Sequence, residues 1–166
     1  MVPFAGWEMP VQYEGVIPEH LAVRRDRRVF DVSHMGQFHV EGPKQSELLQ
    51  GLLSNDLTRL GDGEAQYTLL TNDTGGIVDD LIAYRIGPFQ TLLVVNAGNR
   101  EAAYAWLKER ELSGSEVRDA SDDYALLAQI VPCVSGAPAQ LPTAAPRELA
   151  AMAAALQVSF YPRLPD

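Results

Sequence analysis

Apolar residues in this 166-residue chain come in short clusters cut by turn residues, a pattern that predicts helices mixed with hairpins. Val16 to Val29 spreads Leu21, Ala22 and Val29 among many charges, as a surface helix does, with Arg24, Arg25, Arg27 and Arg28 toward solvent. Gln37 to Val40 reads as a strand. Gly42-Pro43 then opens a helix whose inner face carries Leu48, Leu49, Leu52 and Leu53. Gln66 to Thr71 is apolar and β-prone. Asn72-Asp73-Thr74-Gly75-Gly76 is a strong turn signal, because glycine accepts positive φ and Asn or Asp side chains bond the nearby backbone. Ile77 to Ile86 follows as a strand, Gly87-Pro88 turns the chain, and Thr91 to Val95 is a buried strand. Asn99 is placed to cap a helix running to Glu111, with Ala103, Trp106 and Leu107 inward. Val117 and Tyr124 to Ala128 mark two more strands. Hairpins and helices without a βαβ alternation predict an α+β fold, an antiparallel sheet with flanking helices.

Composition divides the chain. Thirteen basic residues face 22 acidic ones, a net charge of -9 that repels nucleic-acid phosphates. All of that charge lies before residue 129, since the remainder holds only Arg147, Arg163, Glu148 and Asp166. Prolines at 132, 138, 142 and 146 forbid a regular ladder, so 132–146 is expected as an extended linker and 147–157 as an alanine-rich helix. The expected organisation is a folded body over 1–130 and a Pro/Ala-rich tail over 131–166. No apolar run approaches the roughly 20 residues needed to cross a bilayer, and the first ten residues lack the pattern of a secretory signal. A soluble, cytoplasmic protein is expected, acting on a small molecule or another protein.

The titratable residues exclude several chemistries. One cysteine, Cys133, and three histidines (His20, His34, His39) form no metal-ligand spacing, so no metal is expected. The chain contains no G-x-S-x-G elbow, Walker loop or G-x-G-x-x-G. The unusual element is Asp79-Asp80 within Gly75 to Ile82. Adjacent strand residues point to opposite faces, so one aspartate shares a face with apolar neighbours. It is either strand-edge solvation near a turn or a carboxylate held at a pocket wall, where it could bind an amine or move a proton. Phe30 to Gly36 packs Asp31, Ser33, His34 and Met35 between helix and strand; either it is a turn in which Asp31 and Ser33 bond the backbone, or it is part of a site. The proline-bounded segment Pro3 to Pro10 offers Phe4 and Trp7 as an anchor for the N-terminus or a wall for a flat ring. Tyr67 and Asn96 fall in strands where their polar heads need partners.

Six segments in order, V-P-F-A-G-W-E-M-P-V-Q-Y (2–13), F-D-V-S-H-M-G (30–36), L-S-N-D-L (53–57), G-G-I-V-D-D-L-I-A-Y-R (75–85), L-L-V-V-N-A-G-N-R-E (92–101) and D-Y-A-L-L-A (123–128), resemble the aminomethyltransferase family, the T protein of the glycine cleavage system. The resemblance implies the N-terminal folate-binding region of that fold. It implies transfer of a one-carbon unit from the aminomethyl-lipoyl arm of H protein to tetrahydrofolate, with release of ammonia. It implies Asp79 as the catalytic carboxylate and Met35, Tyr67 and Asn96 around the folate, with Asp80 on the opposite face. Two other readings stand beside it: a folate-binding relative acting in iron–sulfur protein maintenance, and a detached one-carbon domain of a dimethylglycine or sarcosine dehydrogenase.

The resemblance stops at residue 128. Family members are more than twice this length and continue with a Q-G-P segment, where this chain has Gln129-Ile130-Val131-Pro132-Cys133. A truncated product with a frame-shifted tail and impaired transfer is therefore expected. Open strand edges and an uncovered apolar face are expected with it, and through them self-association.

Overall fold

Short-range patterning and long-range strand pairing together build a layered α+β structure. The computed structural model describes residues 1–26, 28–130 and 156–162. A small hairpin of β1 (Val2–Phe4) and β2 (Trp7–Met9) precedes helix α1 (Val16–Arg25) and β3 (Arg28–Asp31). There follow β4 (Gly36–Glu41), α2 (Gln45–Leu52), β5 (Ala65–Thr71), β6 (Ile77–Gly87) and β7 (Gln90–Val95). Helix α3 (Arg100–Glu109), β8 (Glu116–Asp119), β9 (Tyr124–Ile130) and β10 (Leu156–Pro162) complete the described chain.

The main sheet has the order β5-β6-β7-β4-β8, antiparallel throughout. Its register starts from the turn foreseen at Asn72. Asn72 Oδ1 accepts from the backbone of Thr74 and Gly76 at 3.0 and 2.8 Å, and Gly75 takes φ +81°. Alternation then gives the sheet two unlike faces. On one, α2 (Leu48, Leu49, Leu52) and α3 (Ala103, Leu107) cover Phe38, Val40, Leu70, Leu81, Ala83, Leu93, Val95 and Val117, all buried. On the other, Leu92 and Val94 of β7 meet Leu126 of β9, with Val32, Met35 and Tyr84 packed around them. That second layer is a three-stranded sheet of order β10-β9-β3.

Four expectations change. The helix expected over Val16 to Val29 stops at Arg25, where Asp26 turns extended, and Arg28 to Asp31 pair with Ile130 to Leu127. Local charge spacing favoured helix there, but pairing with a distant strand decides the conformation. The helix of the Gly42-Pro43 segment begins at Gln45, and the one after Asn99 ends at Glu109. The linker expected over 132–146, and 147–155 of the expected helix, lie outside the described residues. Leu156 and Gln157 of that helix belong instead to β10, paired with Ile130 and Gln129.

No described residue among 1–31 is buried, and Phe4, Tyr13, Val16, Ile17 and Val29 are exposed. Among the described residues no helix is long and apolar enough to cross a membrane.

His39 of β4 is buried between the two sheets, tilted against the Tyr124 ring at 5.7 Å, with Nδ1 3.2 Å from Gln90 Nε2. Burial first, then the Arg118 charge, holds its imidazole below the ordinary value of 6.5, while Glu41 and Asp123 pull the other way. The unfolded chain therefore takes up this proton more readily than the folded one. The contribution is complete above pH 6.5 and is lost as pH falls below it toward the depressed folded value. Urea midpoints measured at pH 7.5 and 5.5 are expected to fall on acidification, and His39→Gln is expected to reduce that fall.

Candidate functional site

Alternation along β6 separates the two aspartates. Asp79, Leu81 and Ala83 point to the helix-covered face and are 2%, 1% and 0% exposed. Asp80, Ile82 and Tyr84 point to the other face, and Asp80 is exposed. The pair thus splits across the sheet, as expected, and the two carboxylates meet different neighbours.

Asp79 is fully engaged from within. One carboxylate oxygen, Oδ2, accepts the Asn96 backbone N–H at 2.9 Å. The other, Oδ1, accepts from Asn96 Nδ2 at 2.9 Å and from Asn99 Nδ2 at 2.7 Å. Three donors on one buried carboxylate satisfy the rule that a buried charged group needs partners. They also fix the segment where β7 gives way to α3.

Asp80 belongs to the outer face with Tyr67. Register explains the meeting: Tyr67 pairs with Ile82 and Leu69 with Asp80, so Tyr67 is the diagonal neighbour of Asp80 on the same face. The Tyr67 hydroxyl donates to Asp80 Oδ2 at 2.5 Å. That bond is the main cause of a phenol held above its ordinary value of 10.0, followed by desolvation and the charges of Asp80 and Asp79. Across the strand, Asn96 Nδ2 lies 3.0 Å from Asp80 Oδ1 and 2.9 Å from the Asp80 carbonyl. One side-chain amide therefore bridges both aspartates.

Met35 reaches this face from the loop before β4. Asp31 Oδ1 accepts Ser33 N–H at 2.9 Å, and Ser33 Oγ accepts Leu126 N–H at 3.0 Å. The turn in which Asp31 and Ser33 bond the backbone is thus present. It places Met35 against Leu92, Val94 and Leu126, beside Tyr84. Burial raises the Tyr84 phenol to about 12. His34 meets the edge of Phe4 at 5.8 Å, which ties the N-terminal hairpin to this loop.

The structure therefore brings Met35, Tyr67 and Asn96 to the face that carries Asp80, while Asp79 supports that face from behind. Two participants have no site role in the sequence reading. Asn99 was expected as a helix cap, yet its side chain caps nothing and donates to Asp79. Tyr84 follows Asp80 by four residues and so shares its face, a spacing the strand period makes available once the strand is assigned. A separate concavity of about 560 Å³ includes Ser54, Asn55, Arg59 and Gln66 in its lining and involves neither aspartate.

The chain is similar to known aminomethyltransferases. An aminomethyltransferase of Flavobacterium psychrophilum is 52% identical over 128 residues, and one of Chlorobium phaeovibrioides is 48% identical over 130, each alignment covering 77% of this chain. The crystal structure of glycine cleavage system aminomethyltransferase T from Bartonella henselae matches with a TM-score of 0.72 and 41% identity over 77% of this chain. This chain spans 36% of the length of each of these three proteins. A family model described as the GCVT N-terminal domain matches residues 1–133, and the chain belongs to that family.

Proposed function

We propose that this chain forms the folate-facing part of an aminomethyltransferase. In that reaction a one-carbon unit passes from the aminomethyl-lipoyl arm of H protein to tetrahydrofolate, and ammonia leaves. The relatives' name supports the reaction class, and one observation supports the site. Asp80, Tyr67 and Asn96 are joined by hydrogen bonds of 2.5 and 3.0 Å where Asp80 and Tyr67 are exposed, on the same face as the half-buried Met35 and Tyr84. A flat ring with amine edges suits such a surface. Met35 and Tyr84 offer part-exposed apolar area, and a carboxylate is an acceptor for ring N–H groups.

The resemblance implies Asp79 as the catalytic carboxylate. In our proposal the carboxylate that meets the ligand is its neighbour, Asp80. Asp79 is 2% exposed and already accepts three hydrogen bonds, which leaves it to hold Asn96 in place. Asp80 lies on the open face and can exchange the Tyr67 hydroxyl for a folate amine. There it would orient the attacking ring nitrogen and take part in moving the proton that accompanies ammonia departure. Asn96 would fix the rotamer of Asp80, and Tyr67, 53% exposed, would flank the ring. No observation specifically favours the iron–sulfur or dehydrogenase readings.

Calorimetry with tetrahydrofolate and the 166-residue chain tests the proposal. Asp80→Asn is expected to weaken binding about tenfold or more while leaving the unfolding curve near wild type. Equal affinity in the two chains would overturn the assignment. Ammonia release with lipoyl-loaded H protein is expected to be low for this chain alone, because Asp80 and Tyr67 are exposed to water among the described residues.

A further inference from the structure

Asn99 stands immediately before α3, at the position where an asparagine ordinarily caps a helix, yet its side chain makes no cap hydrogen bond. It donates instead to Asp79 Oδ1 at 2.7 Å, the shortest of the three bonds on that buried carboxylate. The same oxygen also accepts from Asn96 Nδ2. That amide has two hydrogens and three acceptors within reach: Asp79 Oδ1 at 2.9 Å, the Asp80 carbonyl at 2.9 Å and Asp80 Oδ1 at 3.0 Å. The acceptors compete, and the carboxylate oxygen of Asp80 holds the longest of the three bonds. Asn99 gives Asp79 Oδ1 a second donor beside Asn96.

We propose that Asn99 is a positioning residue, which satisfies Asp79 so that the Asn96 amide remains available to hold Asp80 in its ligand-facing rotamer. This rests on the reading of Asp80 given above. Without the Asn99 donor, Asn96 turns toward Asp79, Asp80 Oδ1 loses its tether, and the carboxylate drifts from Tyr67. Four side chains, Asn99, Asp79, Asn96 and Asp80, thus connect the start of α3 to the Tyr67 hydroxyl through consecutive hydrogen bonds.

The far end of that chain supplies the readout. The Tyr67 phenol is held above 10.0 chiefly by its bond to Asp80, so its titration reports where Asp80 sits. Tyrosine ring-carbon NMR on the full chain, assigned with Tyr67→Phe, follows that titration in wild type, Asn99→Leu and Asn99→Gln. Asn99→Leu keeps the size and removes the donor; Asn99→Gln keeps an amide at an exposed position. The expected result is a Tyr67 midpoint that falls toward 10 in Asn99→Leu and stays near wild type in Asn99→Gln. Tetrahydrofolate affinity is expected to fall about fivefold in Asn99→Leu alone. If the midpoint responds but the wild-type chain binds no tetrahydrofolate, the functional reading falls and the positioning stands. If Asp80→Asn weakens binding while Asn99→Leu leaves midpoint and affinity unchanged, or if both Asn99 variants shift the midpoint equally, the positioning is overturned.

Discussion

Asp79→Ala is expected to destabilise the chain by about 2–3 kcal/mol in urea unfolding, whereas Asp80→Ala changes stability by less than about 1 kcal/mol. The two residues are adjacent and chemically identical, so the contrast comes only from their surroundings. Removing the Asp79 carboxylate takes the acceptor from the Asn96 backbone N–H and leaves a gap in the buried layer, while the half-buried Asn96 amide keeps Asp80 and the exposed Asn99 amide turns to water. A donor left unpaired inside the structure costs more than the bond it made. Asp80 is exposed, and water can replace it as the partner of Tyr67 and Asn96. Equal destabilisation by the two variants would show that the faces of β6 do not differ in this way.

Phe38→Ala is expected to have an effect of similar or larger size, about 3–5 kcal/mol. Phe38 is 0% exposed, and its ring lies 5.4 Å from that of Tyr104 on α3. It pairs with Leu93 on one side and Asp119 on the other, so it stands mid-sheet under the helix layer. Small domains have only about 5–15 kcal/mol of total stability, so this one truncation could remove most of it. Circular dichroism of Phe38→Ala at rising urea measures the loss. A midpoint within error of wild type would contradict the packing described for the helix-covered face.

Much of the fold was legible because local chemistry and tertiary structure agree. The Asn72 to Gly76 turn announces itself through residue types that tolerate its backbone, and the leucines of α2 repeat at helical spacing on the buried side. Agreement fails where a distant partner decides. Arg28 to Asp31 look helical among their neighbours, but they form β3 because β9 offers them a ladder. The site was legible as a set of residues and not as an orientation. Alternation says that Asp79 and Asp80 face opposite sides, yet it does not say which side is covered. That depends on the register with β5, which shifts by one residue between Leu70 and Thr71. Asn99 was hidden for a related reason. Sequence position marks a helix start, but only the approach of Asp79 diverts its amide from capping.

Carboxyl-carbon NMR of the aspartate-labelled chain, titrated with tetrahydrofolate, tests the central assignment most directly. The Asp80 resonance is expected to move on addition of ligand, the Met35 methyl to move with it, and Asp79 to stay close to its free position. A large shift at Asp79 with Asp80 unmoved would contradict it.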